Sequence, residues 1–126
     1  MTIGIVAHDD KKQALLDWIL RHQNHFEGHD IVATGTTGGL VAKTCPSLSI
    51  TRMKSGPLGG DQQLGALIAE GRLKALIFFI DPLSPHPHDV DVKALIRLAT
   101  LYDIPFACNE ASARLLLPYI DDLRAA

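Results

Sequence analysis

Little in this sequence speaks for crosslinks, a charged partner or a membrane. Only two cysteines, Cys45 and Cys108, occur in 126 residues, with neither a metal-like spacing nor a paired framework. A disulfide scaffold and a zinc ribbon are excluded, and a reducing cytoplasm is the expected compartment. An excess of positive charge is also absent: 12 Lys and Arg stand against 14 Asp and Glu, a net charge of -2. Such a balance offers no electrostatic footprint for nucleic acid or an anionic membrane, so any anion site must be local. The longest apolar run, Ala75 to Ile80, is too short to span a bilayer. Met1 leads straight into Ile3, Ile5 and Val6 without signal-peptide architecture. Repeats, linkers and low-complexity tracts are missing as well. The 47% hydrophobic content is ample for one core, so a single domain over 1–126 is expected.

Strand-like and helix-like patterns alternate along the chain. Thr2 to Ala7 reads as a buried strand, followed by a polar loop, His8 to Lys12, and a helix carrying Ala14, Leu15, Trp18 and Ile19. His22 to His29 is a polar return. Ile31 to Ala33 forms a second strand, ending at Thr34-Gly35-Thr36-Thr37-Gly38-Gly39, with a short helix expected from Leu40. Leu48 and Ile50 suggest a brief third strand. A loop of breakers, Ser55-Gly56-Pro57-Leu58-Gly59-Gly60, then leads to Asp61 and a helix over Gln62 to Gly71. Leu73 to Ile80 is the clearest central strand. It is followed by Asp81-Pro82, a histidine-rich loop, a helix over Val90 to Tyr102, a strand over Ile104 to Ala107, and a helix from Ala111 that breaks at Pro118. The expected fold is α/β: three layers, a mostly parallel sheet of about five strands, and helices on both faces.

In such folds ligands bind at the carboxyl ends of the strands, and the polar clusters all fall there. Asp61 sits where a glycine loop enters a helix. It is either an N-cap or a base aimed at a substrate held by that loop. The Thr34 to Gly39 motif is either a tight capped turn or a phosphate site built from helix-start N–H groups and hydroxyls. Lys12 can add charge beside a phosphate, and Ser55 and Gly56 can add donors. His86, His88, Asp89 and Asp91 lie too close together for a standard metal site. A single working histidine, oriented by a carboxylate such as Asp91, is the stronger reading. His8 either closes the first strand or lines the site. Asp9, Asp61 and Asp81 converge on the same edge, where crowding raises the pKa of at least one carboxylate if they are close and dry. The chemistry implied is proton abstraction next to the carbonyl of a small phosphorylated compound, through an enediolate. A regulatory module that binds a phosphorylated effector, and a metal-dependent hydrolase built on the 86–91 loop, are the alternatives.

Five stretches resemble the methylglyoxal synthase family, in the family's order and across nearly the whole chain. They are Val6 to Gln13, Ala33 to Gly38, Ser55 to Gln63, Phe78 to Leu83 and His86 to Leu95. The same domain type serves as a regulatory domain in carbamoyl phosphate synthetase and as a cyclohydrolase in purine synthesis. The Gly-Gly-Asp-Gln-Gln and Pro-His-Asp stretches look like the synthase. The resemblance implies a lyase that converts dihydroxyacetone phosphate to methylglyoxal and inorganic phosphate, as a bypass of glycolysis, without metal or organic cofactor. It makes Asp61 the base and has His88 polarise the carbonyl or shuttle a proton. Lys12, Thr34, Gly35, Thr36, Thr37, Ser55 and Gly56 hold the phosphate, His8 and His88 contact the substrate, and Asp9, Asp81 and Asp91 form a supporting catalytic shell. It also implies a cytoplasmic homohexamer, with phosphate as product and candidate inhibitor. The segment Lys43 to Thr51 adds nothing to the match. The tail after Pro118 is short, and Arg124 does not match the arginine through which some members communicate between subunits.

Overall fold

A computed structural model describes residues 2–85 and 89–125. The sheet has five strands, β1 (Thr2–Ala7), β2 (Asp30–Thr34), β3 (Ser49–Met53), β4 (Leu73–Phe79) and β5 (Phe106–Ala107), in the order β3-β2-β1-β4-β5. Every pairing is parallel. The helices are α1 (Lys12–Arg21), α2 (Gln23–Phe26), α3 (Gly35–Thr44), α4 (Gly60–Ala69), α5 (Asp89–Leu101) and α6 (Glu110–Ala125). Short 3-10 turns, Asp9–Lys11 and Gly56–Leu58, precede α1 and α4.

Strand alternation divides the core into two. Ile3, Ile5 and Ala7 of β1 join Ala75, Ile77 and Phe79 of β4 on one face, under Leu15, Trp18 and Ile19 of α1, Val41 of α3, and Ala113, Leu117 and Ile120 of α6. Val6, Val32, Leu76 and Phe78 point the other way, against Leu64, Leu67 and Ile68 of α4 and Val92, Leu95 and Ala99 of α5. A register shift between Thr2 and Ile3 skips one residue of β4, which puts Leu73 on the α4 side. Each fully buried Leu or Ile contributes about 1.5–3 kcal/mol through the water it no longer contacts.

Several elements differ from the sequence expectation. The polar return contains the short helix α2, because Phe26 is fully buried beside Trp18 at 5.8 Å between ring centroids. Arg124 holds it down by donating to the carbonyls of Asn24 and His25, which lack partners at the end of so short a helix. His29, buried next to it, has its pKa lowered by burial first and then by Arg124. Helix α3 begins at Gly35 rather than Leu40, so the threonine motif is itself the first turn and a half of helix. Helix α6 runs through Pro118 instead of breaking there. Pro118 is exposed, and the buried stripe Ala113, Leu117 and Ile120 continues across it. Packing of that stripe outweighs a local cost of about 3 kcal/mol. Strand β5 keeps only two residues of the expected four. Helix α4 ends as expected at a glycine: Gly71 has φ 74°, its N–H donates to Ile68, and Arg72 donates to Leu67, a Schellman closure.

Candidate active site

The carboxyl ends of β1, β2 and β3 and the start of α4 enclose a cavity of about 240 Å³. This is below the roughly 300–1,000 Å³ of sites for drug-sized ligands, so it suits a small metabolite. Its described lining includes His8, Asp9 and Lys12 after β1, Thr34, Thr36 and Thr37 after β2, Ser55 and Gly56 after β3, and Asp61 of α4. Nine of the residues proposed from sequence therefore come together. Val6, Ala7, Pro57 and Phe78 make up the rest of the described wall.

The helix starts determine what the cavity presents. Thr34 is the residue before α3, and Thr36 and Thr37 lie in its first turn. The first N–H groups of a helix have no intrahelical partner, and the macrodipole places partial positive charge there. The Thr37 hydroxyl is buried and has no hydrogen-bond partner among the described residues. A buried polar atom in that condition indicates a ligand atom or water to complete it. Lys12 opens α1 and pairs with Asp9 at 2.5 Å, with 23% of the lysine side chain exposed against 90% of the aspartate side chain. The lysine is thus held at the cavity wall from its solvent side.

Asp61 is 3% exposed and lies in the first turn of α4. It is not the N-cap. That position belongs to Gly59, whose φ of 107° turns the chain into the helix. The capping reading of Asp61 is thereby corrected, because the loop closes two residues earlier than the breaker pattern suggests. The loop is fixed by backbone contacts around Lys54 and Ser55. Gly60 donates to the Ser55 carbonyl at 2.9 Å, Gly35 donates to the Lys54 carbonyl at 3.4 Å, and the Gln63 side chain accepts from the Lys54 N–H at 2.8 Å. A Cβ on Gly35 would lie 2.9 Å from the Ser55 backbone. Gly35 is therefore absent from the cavity wall but required beside it. Its role is close approach of two loops.

His8 is 6% exposed, and its Nδ1 accepts from the Asp81 N–H at 2.9 Å. An accepting Nδ1 puts the proton of the neutral ring on Nε2. Asp81 itself turns back into its own loop, where Leu83 donates to it at 3.0 Å. The Ser84 hydroxyl first, and then the Leu83 amide, hold its carboxyl below the ordinary range. The raised carboxylate expected from crowding is therefore not Asp81. Nor do the three acids crowd in a dry site, since Asp9 is exposed and ion-paired. Asp81 and Asp91 are not among the described lining residues; Asp91 lies half-buried in the first turn of α5. His86 and His88 lie outside the described residues. Among the described residues no three metal-ligating side chains come together, and no helix is long and apolar enough to cross a membrane.

Fold and cavity together define a parallel α/β domain with a small polar site at its carboxyl edge, and the family model of the MGS-like domain matches residues 14–108. Over 121 residues the chain is 59% identical to the methylglyoxal synthases of Brucella ovis and Brucella anthropi, covering 96% of this chain and 97% of theirs. The crystal structure of methylglyoxal synthase from Elizabethkingia anophelis NUHP1 superposes with a TM-score of 0.88 at 45% identity, over 95% of this chain and 80% of that one. The chain belongs to the methylglyoxal synthase family, whose members are lyases.

Proposed function

We propose that this chain eliminates phosphate from dihydroxyacetone phosphate to give methylglyoxal. The observation that carries the reading is one buried carboxylate, Asp61, in the same small cavity as the unsatisfied Thr37 hydroxyl. The phosphate binds at the start of α3, on Thr34, Thr36 and Thr37, with Ser55, Gly56 and Lys12 around it. Asp61 removes a proton from the hydroxymethyl carbon. The carbonyl oxygen takes up the charge of the enediolate, to which the Nε2–H of His8 donates, with His88 as the second donor or proton shuttle. The hydroxyl on that carbon then becomes the aldehyde, its proton passing to the departing phosphate, as the enediolate electron pair shifts toward the phosphate-bearing carbon and the C–O bond breaks. The resulting enol aldehyde takes a proton on its methylene carbon and becomes methylglyoxal. No water is consumed and no oxidation state changes overall, so the reaction needs no redox cofactor.

Selectivity over simple isomerisation is a matter of torsion. Expulsion requires the C–O bond perpendicular to the enediolate plane, and donors from three separate loops can hold the phosphate there. The helix dipole favours ionised Asp61 and so weakens it as a base; burial and placement must offset that. Asp9 holds Lys12, Asp81 fixes His8 through its backbone N–H, and Asp91, in the first turn of α5, completes the supporting shell. The chain acts in the cytoplasm as a homohexamer, and inorganic phosphate, which uses the same donors, inhibits it.

The decisive experiment incubates chelator-treated protein with dihydroxyacetone phosphate and measures methylglyoxal and phosphate together. Equimolar products are expected at an unchanged rate. Loss of activity on chelation would favour a metal-dependent hydrolase, and phosphate binding without turnover would favour an effector-binding module. A second expected result concerns Thr37→Val. Removing a buried hydroxyl that has no partner among the described residues should leave Tm unchanged or higher, while weakening inorganic phosphate by about three- to tenfold in titration calorimetry. Lower stability with unchanged phosphate affinity would show that the hydroxyl serves the fold instead.

A further inference from the structure

Arg52 lies on the edge strand β3, outside every motif singled out in the sequence. Its register partner on β2 is Ala33, one residue before the threonine turn. The Nε of Arg52 donates to the Gly35 carbonyl at 3.2 Å. The side chain lies flat along the first turns of α3 because that surface carries no Cβ. A Cβ on Gly38 would come within 3.0 Å of Arg52 Cγ, and one on Gly39 within 3.1 Å of Cζ and 3.2 Å of Nη2. The glycines of the Thr-Gly-Thr-Thr-Gly-Gly motif thus divide their work. Gly35 admits Ser55, Gly38 lies under the aliphatic stem of Arg52, and Gly39 lies under its guanidinium.

The Gly35 carbonyl shares a planar trans peptide with the Thr36 N–H, so the two dipoles point in opposite directions. Fixing the carbonyl fixes the N–H, which belongs to the orphan set at the helix start facing the cavity. A cationic donor on the oxygen also polarises the peptide and strengthens the N–H as a donor. The sign of the charge is informative. A cation beside a helix N-terminus opposes the macrodipole, where an acid would serve the helix better. Among the described residues, no carboxylate pairs with Arg52. Its charge is wrong for stabilising α3 and right for an anion bound at its end. The buried, unpartnered Thr37 hydroxyl independently marks that end as a ligand site. Lys12, a cation of the cavity wall, is already shared with Asp9.

We propose that Arg52 is a positioning residue for the phosphate group: it sets and polarises the Gly35–Thr36 peptide and supplies a long-range charge. This rests on the function proposed above for the substrate, but on phosphate binding alone for its test. In Arg52→Met, the Kd for inorganic phosphate and the KM for dihydroxyacetone phosphate are expected to rise together by about three- to tenfold. The effect on kcat should be smaller, and the loss should shrink at high salt. Arg52→Lys should recover the salt-dependent part only, since it restores charge but not the planar donor. If Arg52→Met does not fold, Gly39→Ala replaces it. Alanine raises helix propensity while its Cβ displaces the guanidinium, so phosphate binding should weaken as Tm holds or rises. Unchanged phosphate affinity in the folded variant would overturn the proposal. So would losses that track Tm. Wild-type protein that binds phosphate without turning over the triose would defeat the function but leave this test intact.

Discussion

Asp61→Asn is expected to lower kcat by about a hundredfold to ten-thousandfold, the range for a positioned general base, while inorganic phosphate still binds within about threefold of wild type. The substitution is nearly isosteric, so the cavity keeps its shape and only the proton acceptor is lost. Stability separates this outcome from a structural one. Gly59, not Asp61, occupies the capping position of α4, so the helix keeps its cap, and the interaction of a first-turn acid with its dipole is worth about 0.3–1 kcal/mol. Relief from burying a charge acts in the opposite direction. The measurement is a steady-state assay beside thermal melts and a phosphate titration on the same preparation. A kcat loss below tenfold, or a loss of activity that follows a loss of Tm, would mean that Asp61 is not the base.

The layered architecture was legible because burial on both faces of a parallel sheet leaves unbroken apolar runs, and β1 and β4 are such runs. The convergence of polar clusters followed from topology, since every strand delivers its carboxyl end to the same edge. The errors lie where tertiary packing overrides local propensity. Gly35 to Gly39 read as a turn, yet α3 begins there, because Ser55 and Arg52 need glycine at those positions and the sheet supplies the stability that glycine does not. Pro118 read as a break, yet a buried stripe carries α6 across it. Arg52 carries no signal in the sequence, because an arginine on an edge strand is ordinary there. Its hydrogen bond to Gly35, seventeen residues away, and its packing over Gly38 and Gly39 distinguish it. In the sequence, its place after β4 sets Asp81 beside the catalytic acids. In the fold its backbone N–H orients His8, a role carried by no side-chain pattern.

The paired glycines before Asp61 give the second large effect, because they look interchangeable and are not. Gly59 has φ 107° and open space where a Cβ would stand. Gly59→Ala should therefore cost only the strain of a left-handed conformation, about 1–2 kcal/mol. A Cβ on Gly60 would instead be driven into the Lys54 carbonyl oxygen, far inside van der Waals contact, with the Ser55 carbonyl carbon 3.0 Å away. Both obstacles are backbone and cannot rotate aside. The overlap must be relieved by separating α4 from the β3 loop, which breaks the bonds from Gly60 to Ser55 and from Lys54 to Gln63. Overpacking of about 1–3 kcal/mol adds to two hydrogen bonds of about 0.5–1.5 kcal/mol each. Gly60→Ala should thus destabilise by about 3 kcal/mol or more, a fall in Tm of about 10 °C. The same movement carries Asp61, the next residue, away from the threonine turn, and a displacement near 1 Å is enough for about a hundredfold loss of rate. Gly59→Ala, measured beside it, should keep most of its kcat. If the two variants melt and turn over alike, the Lys54–Ser55 backbone does not link the base to the phosphate site, and the joint placement of the two loops must come from elsewhere in the fold.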